Sequence, residues 1–396
     1  MKTVYRRQKA RGKRQEDVSE VRRDSPFRAG YSILLVFSSC WALAGTAGAQ
    51  LTPKYDLADL KALQQAFVQL ADEVQSSVAA IRTYRVLDTG RSGEPYVKVP
   101  LSQGSGFVID ADGYVATNRH VIEDADAITV RLSDNSSHDA TVVQTDERSD
   151  LAVLRIDEVN LKPIRWGELT KVKVGQWAFA CGNPFGLANE DGRPSVTLGV
   201  ISAMGRQLTS RLVGDSDVEY YGNLLETSAV INPGNSGGPM FNIDGEVIGI
   251  VTAIETGSAV GEGRGFAIPI DKNIRRILAQ LRAGQRVRYG FLGVEVEEVE
   301  APVKGAVVGA RVVPGALIRE IKLADGPAAV AGLKPRDIVL EFDGVSVENS
   351  DHLVRLVGFT PVGTEAVVTY LRAGIKRRTT VVIGDRAQLL GLNTGE

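Results

Sequence analysis

Apolar residues recur every three or four positions in two stretches of the chain and alternate with polar residues in many shorter ones. The first stretch predicts an amphipathic helix that packs on a protein body. Its apolar positions are Leu57, Leu60, Leu63, Phe67, Leu70, Val74 and Val78. Alternation predicts strands, for example at 127–132 and 379–383. Residues 85–103, which contain glycine and proline, are expected to form a short loop. The pattern therefore predicts a mostly β protein.

The second helical stretch lies after residue 270. Asp271 is suited to the N-cap of this helix, and Gly284 to its C-terminal stop. Its apolar face consists of Ile274, Ile277, Leu278 and Leu281. We expect this helix to end the first folded unit of the chain.

A glycine-rich segment, Asn232-Pro-Gly-Asn-Ser-Gly-Gly-Pro, lies between two predicted strands. Glycines on both sides of Ser236 allow a tight turn that presents its hydroxyl beside two backbone N–H groups. A hydroxyl and such donors together can attack a carbonyl carbon and hold the negative oxygen that results. An ordinary glycine-rich hairpin turn is the alternative that this segment alone leaves open.

A serine nucleophile needs a base, and the chain has three histidines. His120 lies where a strand-like apolar stretch ends in polar residues. His138 lies in a polar run and is expected to face solvent, and His352 falls in a separate downstream module. His120 is therefore the candidate base.

The third member of such a site is a carboxylate that orients the imidazole. Asp150 lies immediately before an alternating apolar strand, and Asp146 and Glu147 are competing candidates. The order His120, Asp150, Ser236 is that of chymotrypsin-like proteases and differs from the order in subtilisins and α/β-hydrolases.

Six segments of the chain resemble the HtrA/Deg family of serine endoproteases. They are Gly104-Ser-Gly-Phe-Val-Ile, Thr117-Asn-Arg-His-Val, Ser149-Asp-Leu-Ala-Val-Leu, Gly182-Asn-Pro-Phe-Gly, Gly234-Asn-Ser-Gly-Gly-Pro and Gly265-Phe-Ala-Ile-Pro. The resemblance implies a chymotrypsin-like double β-barrel, usually assembled as a trimer, that acts in protein quality control outside the cytoplasm. Arg119 replaces an asparagine that is more frequent in the family, and residues 188–194 look a few residues longer than usual.

The resemblance also implies roles around Ser236. The backbone N–H groups of Gly234 and Ser236 would form the oxyanion hole. Ile231, Ala253 and Ile254 would line the specificity pocket, and their aliphatic side chains predict cleavage after Val, Ala or Ile. The segments 204–222 and 255–265 would be the parts that move during regulation.

The C-terminal part resembles a single PDZ domain. Tyr289-Gly-Phe-Leu-Gly-Val resembles the carboxylate-binding loop, and residues 328–339 resemble the helix and strand that follow in that fold. The N–H groups of Phe291, Leu292 and Gly293 would bind the terminal carboxylate of a peptide that adds as a strand. A β-domain without a peptide site is the alternative. The expected boundaries are 50–284 for the protease domain, 288–384 for the PDZ domain and 385–396 for a tail.

Charge and hydropathy predict that the N-terminal segment has a role in targeting. Residues 1–29 contain ten Lys/Arg and four Asp/Glu, a balance of +6, whereas the whole chain has −2. An apolar run at 31–43 and the Ala47-Gly-Ala motif predict a signal peptide, 1–49, cleaved before Gln50. An uncleaved inner-membrane anchor and lipidation at Cys40 are the alternatives. The remaining acidic chain gives no electrostatic reason to expect nucleic-acid binding.

Neither a metal nor a cofactor is expected. No cluster of His, Cys and carboxylate residues has metal-ligand spacing, and the glycines at 257–265 lack the Lys-Ser/Thr of a phosphate loop. Cys181 is expected to be a buried strand residue. The sequence thus predicts an exported, periplasmic serine endopeptidase that degrades unfolded or misfolded proteins and is regulated by peptides at its PDZ domain. A non-catalytic chaperone or PDZ scaffold on the same fold is the alternative, and a homotrimer is the expected assembly.

Overall fold

The computed structural model describes residues 57–90, 96–210, 219–252, 264–299, 307–308, 311–312 and 314–391. The predicted leader, 1–49, lies outside these residues, as do Ala253, Ile254, most of 255–265 and the end of the predicted tail. None of the helices described is both long enough and apolar enough to cross a bilayer.

Six strands at the start of the described chain close into a barrel in the order β1-β2-β3-β6-β5-β4. They are β1 (Val78–Asp88), β2 (Tyr96–Val108), β3 (Tyr114–Asn118), β4 (Ala127–Arg131), β5 (Ser137–Asp146) and β6 (Leu151–Ile156). Ile81, Val115 and Leu154 are completely buried in its interior. The alternation of apolar and polar residues produces this core, because successive strand residues point to opposite faces.

The predicted loop at 85–103 was wrong. β1 continues to Asp88 and β2 begins at Tyr96, and the two strands pair in antiparallel register, for example Leu87 with Val97. Pro100 lies beside a β-bulge in its own strand, β2, where Leu101 is the extra residue and a missing backbone donor is tolerated. Proline therefore marks a bulge here, whereas the prediction took it as a sign of a loop.

A second set of strands forms a sheet in the order β11-β8-β9-β10-β13-β12-β7, and pairing of β11 with β12 closes six of them into a second barrel. They are β7 (Arg165–Trp166), β8 (Trp177–Gly182), β9 (Ser195–Ser210), β10 (Glu219–Thr227), β11 (Pro239–Phe241), β12 (Glu246–Thr252) and β13 (Gly265–Pro269). The predicted double β-barrel is confirmed.

Four helices accompany the barrels: α1 (Leu57–Gln75), α2 (Arg119–Ile122), α3 (Ala188–Asp191) and α4 (Lys272–Arg282). The α4 prediction is confirmed, because the Asp271 carboxylate accepts the N–H groups of Asn273 and Ile274, and all four predicted apolar positions are buried. This cap satisfies two of the N–H groups that a helix start leaves unpaired.

Helix α1 packs on the barrels through its C-terminal half only. Leu70 and Val74 are buried, and the ring of Phe67 packs edge-on against Phe179. The N-terminal leucines of the stripe, Leu57 and Leu60, are exposed in the single chain. An apolar stripe that is half exposed is compatible with the expected trimer, which stays a prediction.

The C-terminal part has its own core and sheet, in the order β15-β18-β19-β21-β22, with β20 paired to β19. Its strands are β14 (Gly290–Phe291), β15 (Val294–Glu298), β16 (Val307–Val308), β17 (Arg311–Val312), β18 (Ala316–Ile321), β19 (Ile338–Phe342), β20 (Val345–Ser346), β21 (Glu365–Arg372), β22 (Ile375–Val382) and β23 (Gly384–Asp385). Its helices are α5 (Pro327–Val330), α6 (Ser350–Phe359) and α7 (Arg386–Leu389). The predicted tail therefore begins with folded elements, because β23 pairs with β14 and Asp385 caps α7.

Candidate active site

His120 and Asp150 meet at the open end of the first barrel. His120 lies in α2, directly after β3, and Asp150 directly precedes β6. His120 Nδ1 is 2.7 Å from Asp150 Oδ2, and the His120 backbone N–H donates to Asp150 Oδ1 at 3.0 Å. The imidazole is 29% exposed and the carboxylate 2% exposed. A buried carboxylate thus holds His120 at two points, the ring nitrogen Nδ1 and the backbone N–H.

The backbone around Asp150 explains how the carboxylate keeps this position. Asp150 has a φ of 52°, in the left-handed region that few residues other than glycine adopt. Its carbonyl oxygen accepts hydrogen bonds from the Asn118 side chain at 2.9 Å and the Arg119 N–H at 3.0 Å. These contacts tie the end of β3 to the start of β6, so that the histidine and the aspartate are held by the same pair of strands.

The competing carboxylates point elsewhere. Asp146 Oδ2 accepts hydrogen bonds from the Ser149 N–H at 2.9 Å, from the Ser149 hydroxyl at 2.5 Å and from the Tyr289 hydroxyl. Glu147 is exposed. The carboxylate beside His120 is therefore that of Asp150.

Ser236 lies in the tight glycine-containing turn between β10 and β11 and is 5% exposed. Gly234 has a φ of 100° and Gly237 a φ of 82°, which only glycine adopts at low energetic cost. A side chain at Gly234 would collide with the Asn183 carbonyl, and one at Gly237 with Thr117 Oγ1. Gly237 thus packs against β3, the strand that leads to His120.

Sequence reasoning did not single out Ser105, which holds the serine turn in place. This residue of β2 is completely buried. Its hydroxyl donates to the Gly234 carbonyl at 2.6 Å and accepts from the Asn183 N–H at 2.8 Å, while its N–H donates to the Ser236 carbonyl at 2.8 Å. The available signal was a serine between two glycines, directly before the apolar end of the strand.

The peptide group between Pro233 and Gly234 has a defined orientation. The Pro233 carbonyl accepts the Phe185 N–H at 2.8 Å. In a planar trans peptide the N–H points opposite to the carbonyl, so the Gly234 N–H points away from Phe185. Within the part of the chain that the structure describes, this N–H donates to no acceptor, whereas the Gly237 N–H donates to the Val251 carbonyl at 2.9 Å.

Only some of the other predicted site residues lie within the described part of the chain. Ile231 is half-buried beside Gly265, where a Cβ would collide with its side chain. Ala253 and Ile254 lie outside the described residues. Phe291 is the last residue of β14, and Leu292 and Gly293 connect β14 to β15.

The remaining histidines and Cys181 lie apart from this cluster. His138 was expected to face solvent, but its side chain is only 16% exposed, and Nε2 lies 2.8 Å from the Ser136 hydroxyl. His352 is buried in α6, and burial followed by the charge of Arg355 lowers its pKa. Cys181 is buried as predicted, and burial raises the pKa of its thiol.

Comparison with known proteins decides the family. A profile described as a trypsin-like peptidase domain matches residues 104–250, and one described as a PDZ domain matches 290–383. A solved structure described as the HtrA-type protease AlgW with a decapeptide has a TM-score of 0.63 and 31% identity, covering 81% of this chain and 98% of that one. The chain belongs to the HtrA family of serine proteases. The resemblance seen in the six sequence segments is confirmed.

Further similar proteins extend the comparison. The structure of the serine endoprotease from Yersinia pestis has a TM-score of 0.54 and 30% identity, over 81% of this chain and 97% of that one. Two relatives carry the name probable periplasmic serine endoprotease DegP-like. The Pseudomonas putida protein is 42% identical over 297 residues, 74% of this chain and 59% of its own length. The Halomonas elongata protein is 44% identical over 284 residues, 72% of this chain and 56% of its own length. This chain therefore spans less than two thirds of these relatives.

Proposed function

We propose that the chain is an exported periplasmic serine endopeptidase that cleaves unfolded or misfolded polypeptides through an acyl-enzyme. The observation that carries the proposal is the 2.7 Å contact between His120 and Asp150, next to a serine turn that requires glycine at two positions. We assign residues 50–284 to the protease domain and 288–384 to the PDZ domain. The periplasmic names of the relatives support export.

In the proposed mechanism Asp150, His120 and Ser236 each have one role. The Asp150 carboxylate accepts a hydrogen bond from the N–H at His120 Nδ1. This bond keeps the proton on Nδ1 and leaves Nε2 unprotonated, so that Nε2 can take the proton of the Ser236 hydroxyl as it attacks. The same carboxylate stabilises the imidazolium that forms. His120 then returns the proton to the leaving amine, and water hydrolyses the acyl-serine by the same route.

The oxyanion of the tetrahedral intermediate would be bound by the N–H groups of Gly234 and Ser236. The orientation of the peptide group between Pro233 and Gly234 supports this role. The Pro233 carbonyl accepts a hydrogen bond from the Phe185 N–H, so the Gly234 N–H points in the opposite direction. Loss of one such donor costs about 3–4 kcal/mol of transition-state stabilisation in other serine proteases. Ser105 would keep the turn in this form through its bond to the Gly234 carbonyl.

Casein digestion tests the proposal against the non-catalytic alternative. An active endopeptidase converts casein into peptides, whereas a chaperone or scaffold binds it and leaves it intact. Intact casein after prolonged incubation, with or without a peptide ligand for the PDZ domain, would contradict the proposal.

We expect the peptide products to end in Val, Ala or Ile. The half-buried Ile231 would supply one aliphatic wall. Ala253 and Ile254, which lie outside the described residues, are assigned to the same pocket by the family resemblance alone. An apolar pocket without a carboxylate leaves a substrate Lys or Arg unpaired, which is costly. Mass spectrometry of casein peptides checks this expectation, and predominant cleavage after Lys or Arg would refute it.

Peptides with a free C-terminus would bind the PDZ domain and change the rate of proteolysis. A chain of hydrogen bonds supports this regulation. Tyr289, directly before the PDZ loop, donates its hydroxyl to Asp146, which accepts two bonds from Ser149, the neighbour of Asp150. Burial, and then the charge of Asp146, raise the pKa of Tyr289, so its hydroxyl remains a donor. A ligand that shifts the loop therefore acts on a group bonded to the segment that holds Asp150.

Tyr289→Phe is expected to weaken this coupling. The substitution keeps the aromatic ring, which contacts Phe359 and Arg148, and removes only the hydroxyl. Typical couplings change a rate or affinity about 5- to 150-fold, and we expect most of the peptide effect to disappear. The measurement is turnover of a chromogenic substrate too short to reach the PDZ domain.

Two outcomes separate the explanations. If saturating peptide leaves wild-type turnover unchanged, the PDZ domain is only a tether for substrates. If peptide changes wild-type and Tyr289→Phe turnover equally, regulation exists but does not pass through Tyr289.

A further inference from the structure

The PDZ domain carries a groove between β15 and α6 whose floor is apolar. Val294 of β15 and Leu353 and Val357 of α6 line it. Two arginines, Arg148 and Arg386, also line it. Arg386 belongs to the PDZ domain, whereas Arg148 comes from the protease domain, between β5 and β6. The groove is therefore built by both domains.

Arg148 is held in a defined position against the PDZ domain. The carbon at the centre of its guanidinium lies 4.8 Å from the centre of the Tyr289 ring, a cation–π contact. The guanidinium also lies against Gly358 near the C-terminal end of α6, where a Cβ would come within 2.8 Å of its Nη2. Glycine inside a helix is unfavourable relative to alanine, and here it makes room for this guanidinium.

Neither guanidinium is neutralised by a carboxylate. Among the residues that the structure describes, Arg148 and Arg386 form no ion pair, and their guanidinium groups form no hydrogen bond. Desolvation, and then the nearby charge of Arg386, lower the pKa of Arg148, while Tyr289 and Asp146 act in the opposite direction. Two cations that repel each other in one groove would both be stabilised by an anionic ligand.

The direction of strand addition places the ligand's C-terminus at these arginines. A peptide that pairs antiparallel with β15 ends beside Val294, the first residue of that strand, next to the loop at 290–293. The far end of β15 carries Glu297 and Glu298. The groove thus has positive charge where a C-terminal carboxylate would lie and negative charge at its opposite end.

We propose that Arg148 and Arg386 together form a carboxylate-binding site for the free C-terminus of a peptide ligand. The proposal rests on the peptide-binding function proposed above and assigns a ligand contact to the protease domain itself. The N–H groups of the PDZ loop would bind the same carboxylate, and the arginines add charge-assisted hydrogen bonds. Because Arg148 lies two residues before Asp150, a bound peptide touches the segment that holds the candidate catalytic carboxylate.

Peptide binding to the full-length protein tests the site. The probes are a fluorescent decapeptide ending in Val with a free carboxylate and the same peptide with a C-terminal amide, measured by fluorescence anisotropy. Arg148→Ala is expected to weaken binding of the free acid about ten-fold, the loss typical of a hydrogen bond to a charged group, and to leave the amide unchanged. Arg148→Gln, which keeps most of the side-chain length, is expected to behave in the same way.

Arg377→Ala is the matched control, because Arg377 is exposed on β22 at the opposite edge of the same sheet. This variant should bind both peptides as the wild type does. The melting temperature of each variant is measured to show that its fold is intact. If both Arg148 variants prefer the free acid over the amide as strongly as the wild type does, the arginine site is refuted and the proposed function still stands. If the wild type binds the acid and the amide equally well, both the arginine site and the proposed recognition of a free C-terminus by the PDZ domain are refuted.

Discussion

Replacing Ser236 with alanine is expected to abolish casein hydrolysis while the fold remains intact. The substitution removes only the hydroxyl oxygen, and the glycines that define the turn are unchanged. In subtilisin, loss of the catalytic serine reduces kcat by about six orders of magnitude, which would place the variant at the assay background. Release of soluble peptides from casein over a day measures the effect.

Ser202→Ala is the control for this variant, because Ser202 is exposed on β9 of the same barrel. Its activity should equal that of the wild type. Cleavage by a well-folded Ser236→Ala protein, free of contaminating proteases, would eliminate Ser236 as the nucleophile.

Replacing Asp150 with asparagine is expected to lower kcat about ten-thousand-fold, as the equivalent change does in trypsin. An amide cannot accept the Nδ1 proton through its NH₂ group, so the imidazole would lose the tautomer that leaves Nε2 free. The side chain is almost completely buried, so no solvent molecule replaces the lost carboxylate easily. Turnover of a chromogenic peptide measures the loss.

Glu147→Gln is the matched control, since Glu147 is close in sequence but exposed. We expect its kcat to remain at the wild-type value. An Asp150→Asn protein with kcat within ten-fold of wild type would mean that another group orients His120.

Local sequence signals predicted those elements whose causes are local. Helix α4 was predicted with its cap and buried face, because a cap acts within three residues and an apolar stripe repeats within four. His120 and Asp150 were also singled out from the sequence, since the chain has only three histidines and Asp150 directly precedes an alternating apolar stretch. Their side chains lie in contact, and their catalytic role stays a prediction. The pairing of β1 with β2 was not predicted, because glycine and proline occur both in loops and beside β-bulges.

Contacts between distant residues could not be predicted in this way. Ser105 bonds to Gly234 across 129 positions of the chain, and nothing in its own segment specifies that partner. Arg148 is exposed, as a charged residue in a polar segment is expected to be. Its position against Tyr289 and Gly358 of the PDZ domain, however, depends on residues far away in the chain. The exposed position predicted for His138 failed for the same reason, because Nε2 of its ring lies 4.0 Å from the carboxylate of Glu158, a residue distant in the sequence.

Labelling with a fluorophosphonate tests the central claim most directly, because such a probe reacts with a serine only when the base and the oxyanion donors are in their active arrangement. The account predicts one adduct per chain, mapped by peptide mass spectrometry to Ser236, and none after His120→Ala. No adduct on the wild-type protein in the presence of a saturating C-terminal peptide, or an adduct on a different serine, would contradict it.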